Sequence, residues 1–90
     1  MHKAQSSATR AYQAILAAQP MTPGKIAFAW QVAAGPTLGR AGTPHFSDGS
    51  LRITARDATW QQEIRRARSL ILERLNELLG AGTVRRLVID

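Results

Sequence analysis

The stretch Thr43-Pro44-His45-Phe46-Ser47-Asp48-Gly49-Ser50-Leu51-Arg52-Ile53-Thr54-Ala55-Arg56 decides the fold. Asp-Gly between two alternating runs signals a two-residue hairpin loop, because both turn positions need φ > 0. With Asp48-Gly49 as the loop, Ser47 faces Ser50, Phe46 faces Leu51, His45 faces Arg52 and Pro44 faces Ile53. Apolar residues then pair on one face and polar residues on the other, as a half-buried hairpin requires. Ser47 and Ser50 form the hydrogen-bonded pair beside the turn, so Pro44 and Ile53 meet at a non-hydrogen-bonded position. Pro44 loses no ladder bond there, and its strand belongs at a sheet edge.

C-terminal to the hairpin, Asp57–Leu79 reads as one long helix. Asp57 or Thr59 caps it, and Thr59-x-x-Gln62 fits a capping box. Trp60, Ile64, Ala67, Ile71, Leu75 and Leu78 recur at spacings of 4, 3, 4, 4 and 3, a continuous helical stripe. Gly80-Ala81-Gly82 ends the helix. Thr83–Ile89 follows as a last strand, with Leu87 and Ile89 on one face and Val84 entering the core.

N-terminal to the hairpin, Thr37–Gly42 is a Gly-rich connection. Before it, Thr22-Pro23 starts a helix, with Thr as N-cap and Pro at the first helical position. Ile26, Ala29, Trp30 and Ala33 form its stripe, with Phe28 and Val32 beside it, and Gly35-Pro36 stops it. Residues 6–18 show helical spacing at Ala8, Tyr12 and Ile15, and residues 1–5 are expected to be loose. The order is α-α-β-β-α-β, an α+β domain with helices on one face of a three-stranded sheet and water on the other. Trp30, Trp60, Phe28 and Phe46 all fall on apolar stripes and are expected in the core.

Ninety residues, 44% of them hydrophobic, make one small folded domain (residues 1–90). The absence of cysteine excludes disulfide frameworks, Cys-based zinc or iron–sulfur sites and thiol catalysis. The most apolar stretch, Ile26–Ala34, is too short to span a bilayer, and the polar start lacks a signal-peptide core. A cytoplasmic protein is expected, with no membrane partner.

No catalytic set assembles. His2 and His45 have no partner at metal or triad spacing, and Glu73 and Glu77 read as one exposed helix turn. The serines sit in no nucleophile-elbow pattern. Neither enzyme activity nor a cofactor or metal is expected. Gly39-Arg40-Ala41-Gly42 matches the G-x-x-G clamp of K-homology nucleic-acid domains, yet leads from a helix into a strand where that clamp joins two helices.

The arginines carry the stronger signal. Lys and Arg number 12 against 6 Asp and Glu, a net charge of +6. Such a balance favours an anionic partner, and arginine suits bidentate phosphate or carboxylate contacts. Strand alternation turns Arg52 and Arg56 to the open sheet face, together with Thr54. Arg85 and Arg86 are neighbours, so one points outward in either register. Arg65, Arg66 and Arg68 spread around the polar side of the long helix. Arg52, Arg56, Arg65, Arg66, Arg85 and Arg86 are therefore the candidate nucleic-acid contacts.

Trp30, Val32, Gly35, Leu38, Thr43-Pro44, Asp48-Gly49-Ser50-Leu51, Trp60-Gln61-Gln62-Glu63-Ile64, Leu72, Leu75-Asn76, Leu79-Gly80, Val84 and Leu87 together resemble the DciA-like family. The combination is specific where no single piece is, and it covers residues 26–89. Gly42 stands where the family often has His. The resemblance implies a K-homology-like fold without a working G-x-x-G clamp. It implies a role in loading or assisting the DnaB-type replicative helicase, with affinity for single- or double-stranded DNA. A protein-interaction domain without nucleic-acid binding and an RNA-binding module are the alternatives. Family members often continue into a basic tail, whereas this sequence stops at Asp90, so only weak, sequence-independent binding is expected of the domain.

Overall fold

The computed structural model describes residues 21–90; residues 1–5, His2 and the helix expected over 6–18 lie outside them. The described chain runs α1 (Pro23–Ala41), β1 (Gly42–Ser47), β2 (Ser50–Ala55), α2 (Ala58–Arg66), α3 (Arg68–Leu79) and β3 (Arg86–Ile89). It is an α+β arrangement with a mixed sheet in the order β1-β2-β3. β1 and β2 pair antiparallel, and β2 and β3 pair parallel. A parallel pair needs a crossover, which α2 and α3 supply, while α1 and α2 cover one sheet face.

The hairpin has the register that its sequence dictates: Ser47↔Ser50, Phe46↔Leu51, His45↔Arg52 and Pro44↔Ile53. Asp48 and Gly49 take φ of 50° and 80°, the left-handed pair that lets a two-residue loop follow strand twist. Leu51 and Ile53 are fully buried while Arg52 and Thr54 are exposed. β1 lies at an edge, so Pro44 costs the ladder nothing.

Two elements differ from the sequence reading. The helix starting at Thr22-Pro23 does leave helical geometry at Gly35 (φ 88°, ψ 171°). Pro36 then begins a further helical segment through Ala41, where a plain connection over Thr37–Gly42 was expected. Pro36 at a first helical position explains the restart, and buried Ala41 and half-buried Leu38 hold the segment on the core. Thr22 caps α1 as expected, its Oγ1 accepting from the Lys25 N–H at 3.1 Å.

The long helix is the second correction. It breaks at Ala67 (φ −94°, ψ 4°) into α2 and α3. α2 packs on β2 and β3, whereas α3 packs chiefly on α1. A continuous helix has one axis and cannot follow both surfaces, so a one-residue break redirects it. The stripe still points inward across the break: Ile64, Ile71, Leu75 and Leu78 are buried. Asp57, not Thr59, caps α2, its Oδ1 accepting from the Trp60 N–H at 3.0 Å.

The core joins Ile26, Ala29, Trp30 and Ala33 of α1 to that stripe and to Leu51, Ile53, Val84, Leu87 and Ile89. Trp60 and Phe46 only lean on it, half-buried, and Phe28 is 40% exposed where a core position was expected. The inward stripe of α1 is Ile26, Ala29, Trp30 and Ala33, and Phe28 falls to its more exposed side. β3 is shorter than Thr83–Ile89, but Val84, Leu87 and Ile89 are buried as anticipated. Among the described residues no helix is long and apolar enough to cross a membrane.

Candidate anion-binding face

Because the helices cover one face of the sheet, alternation sends Thr43, His45 and Ser47 of β1 to the other. Ser50, Arg52 and Thr54 of β2 join them. β3 aligns Arg86 with Ser50 and Val88 with Arg52. Arg52 and Arg86 therefore share this surface as diagonal cross-strand neighbours, about 7–8 Å apart at the backbone.

Asp90 shares the surface too. Its backbone prolongs the ladder, the Asp90 N–H donating to Ile53 O at 2.8 Å and its carbonyl accepting from Ala55 N at 3.1 Å. Its carboxylate lies 3.5 Å from Arg52 Nε. Both side chains remain about half or more exposed (62% and 49%), so water and salt screen the pair.

The remaining candidates divide. Arg85 sits at the rim of the face, just before β3. Its Nη2 donates to Asp48 O at 3.0 Å and lies 3.9 Å from the Asp48 carboxylate. Arg56 leaves β2 and turns to the end of α1, its Nη2 donating to Arg40 O at 3.2 Å. Arg66 is exposed on α2 and pairs with Glu63 at 3.1 Å. Arg65 donates to Ile89 O at 3.4 Å. The structure thus brings Arg52, Arg85 and Arg86 together and places Arg56, Arg65 and Arg66 around the periphery.

Arg65 has a companion in Arg68, whose Nε donates to Leu87 O at 3.0 Å. Asp90 turns both its backbone groups toward β2, so alternation aims the Leu87 and Ile89 carbonyls at the outer edge of β3. The two arginines cover that edge with bulk and charge, which blocks pairing by another strand. Helix periodicity marks both residues as outward and gives no sign of these carbonyls.

The G-x-x-G match has a packing explanation. Gly39 is buried, and a Cβ there would run into the Gln31 amide. A Cβ at Gly42 would meet Ile53 and Trp30. Trp30 Nε1 donates to the carbonyls of both Gly39 and Gly42, at 3.1 Å each, and Gln31 Nε2 donates to Gly39 O at 2.9 Å. These glycines let the end of α1 close onto Trp30, with their backbone directed into the protein.

Asn76 is a residue for which the sequence reading had no role. Its Oδ1 accepts from Val84 N at 2.9 Å and its Nδ2 donates to Val84 O at 3.0 Å. This reciprocal pair ties the loop before β3 to α3. His45 stands exposed opposite Arg52, and Glu73 and Glu77 are exposed on α3. Among the described residues no group of His, Asp and Glu side chains could hold a metal ion.

Fold and surface together define a small α+β module with an arginine-bearing, solvent-facing sheet. The chain belongs to the DciA family: that family's model, described as Dna[CI] antecedent, DciA, matches residues 5–89. This bears out the resemblance carried by the Asp48-Gly49 turn and the motifs around Trp60 and Leu75-Asn76. The family is one of loaders or operators of the DnaB helicase and is not a known enzyme family. No curated protein matches the chain.

Proposed function

We propose that this chain is a single K-homology-like module that assists a DnaB-type replicative helicase and holds DNA through its arginines, without chemistry of its own. One observation supports the DNA reading above the others. Arg52 and Arg86 stand on an open sheet surface with Ser47, Ser50, Thr54 and His45, where Asp90 lies beside Arg52 and Asp48 stands at the turn end. Arginine offers a planar fork of donors that matches phosphate oxygens. Arg85 adds to this surface at the turn end, while Arg56, Arg65 and Arg66 are exposed residues outside it, and each can exchange its present partner for a phosphate.

Contacts of this kind read charge and spacing, so binding is independent of sequence. Trp30 is buried, Trp60 and Phe46 are half-buried, and Phe28 stands on α1 in the helix layer, so neither a tryptophan nor a phenylalanine stands beside Arg52 and Arg86 on the open face to stack on a base. Affinity then follows counterion release and falls in a log–log plot by about 0.9 per duplex phosphate neutralised, or about 0.7 on single strands. The expected range is that of non-specific binders, about 10⁻⁴–10⁻⁶ M. Localisation in the cytoplasm follows from this role.

The test is a salt series of fluorescence anisotropy on labelled single- and double-stranded DNA and on RNA, beside capture of purified replicative helicase. Arg52→Ala with Arg56→Ala should lower the salt slope by about one to two units and leave the fold intact. No DNA or RNA affinity at low salt, with helicase capture weakened by the same double variant, would establish a protein-interaction domain instead. Preference for RNA over both DNA forms would establish an RNA-binding module.

A further inference from the structure

At the turn end of the open face lies a hollow of about 510 Å³, lined by Ser47, Asp48, Gly49, Ser50, Arg85 and Arg86. We propose that this hollow seats a single phosphate group; the identification of its source as a nucleic-acid backbone rests on the reading above.

The loop entering β3 is stitched to the turn, since the N–H groups of Arg85 and Arg86 both donate to Gly49 O, at 2.8 and 3.2 Å. Two neighbouring arginines are thereby sent to different tasks. The Arg85 guanidinium lies back over Gly49 and is held by Asp48 O. A Cβ at Gly49 would collide with that guanidinium, so this glycine serves the positive φ of the turn and the resting place of Arg85 at once. Arg86 rises from β3 in register with Ser50, and its guanidinium has no hydrogen-bonding or ion-pair partner among the described residues.

The result is one oriented guanidinium, one free guanidinium and two hydroxyls facing each other across the Ser47↔Ser50 pair. All are donors suited to a tetrahedral oxyanion. The Asp48 carboxylate stands out in water, its side chain 99% exposed, and offsets part of the Arg85 charge, leaving Arg86 as the principal one. No aromatic or apolar side chain lines the hollow, so it offers nothing to a base or sugar. Its chemistry matches a phosphate and does not match a whole nucleotide.

The experiment follows backbone amide resonances of isotope-labelled protein as inorganic phosphate replaces chloride at constant ionic strength. Saturable shifts confined to Gly49, Ser50, Arg85 and Arg86 are expected. Arg86→Ala should abolish them with the rest of the spectrum unchanged, and Asp48→Asn should strengthen them about twofold to fivefold. Equal shifts in chloride, or shifts that survive Arg86→Ala, would overturn the seat. A short oligothymidylate added separately identifies the source. If it moves the same amides, the phosphate is that of a strand. If only inorganic phosphate moves them and the oligomer does not bind, the seat stands and the nucleic-acid reading fails. If the oligomer binds without touching these amides or needing Arg86, the seat fails and the nucleic-acid reading survives.

Discussion

Asp90 Oδ2 lies 3.5 Å from Arg52 Nε on the open face of the sheet. The carboxylate occupies the place a phosphate oxygen would take against the same guanidinium, so an anionic ligand must displace it or bind beside it. Asp90→Asn keeps the backbone bonds to Ile53 and Ala55 and removes the competing charge. DNA affinity at low salt should rise about twofold to fivefold, the equivalent of an exposed ion pair of up to about 1 kcal/mol. Stability should change by less than about 0.5 kcal/mol. Anisotropy titration and urea denaturation check the two halves. An unchanged affinity would show that bound DNA does not approach Arg52.

The two tryptophans should separate by burial. Trp30 is fully buried and holds two carbonyls at the end of α1, while Trp60 is half-buried at the start of α2. Trp30→Ala is expected to cost about 3–5 kcal/mol, a large share of a total of about 5–10 kcal/mol. Trp60→Ala should cost less, about 1–3 kcal/mol, because less surface leaves water on folding. Denaturant unfolding of both variants decides it, and a costlier Trp60→Ala would contradict the packing.

Arginines on the same helical stretch should behave differently. Arg68→Ala removes a partly buried bond to Leu87 O and is expected to cost about 1–2 kcal/mol. It also uncovers the edge of β3, so faster amide exchange in that strand and self-association at high concentration should accompany it. Arg66→Ala breaks only an exposed pair with Glu63 and should stay within about 0.5 kcal/mol of the parent. Comparable losses in the two variants would remove the edge-covering role.

Asn76→Ala leaves the N–H and the carbonyl of buried Val84 without their side-chain partner. A cost of about 2–3 kcal/mol is expected from thermal or urea unfolding. Asn76→Asp should restore the bond from Val84 N but not the donor to Val84 O, and should fall between Asn76→Ala and the parent. A neutral Asn76→Ala would mean the loop before β3 is held by its apolar contacts alone.

The hairpin needed nothing beyond the sequence. Its turn chemistry and its alternation are local properties, and a one-residue slip would have inverted Leu51 and Arg52. The cap at Thr22, the departure from helix at Gly35 and the inward stripe from Ile64 to Leu78 were legible for the same reason: each depends on neighbours within a turn or two. Family membership was legible too, because the turn and the helix motifs survive as short words in the chain.

What surrounds a face is not a local property, and there the tertiary structure decided. Periodicity placed Arg65 and Arg68 on an outward side, yet their donors meet carbonyls of a strand 24 and 19 residues further along. It placed Phe28 beside an apolar stripe without fixing whether a partner element would cover it. It ran one stripe through Ala67 because side-chain spacing is blind to a change of axis. Gly39 and Gly42 were short-range neighbours whose purpose, admitting the Gln31 amide at one and Ile53 and Trp30 at the other, lay outside their own stretch of chain. The division of the arginines into Arg52, Arg85 and Arg86 on one surface and the rest around it arises where three strands and a redirected helix come together, and only the packed chain contains that arrangement.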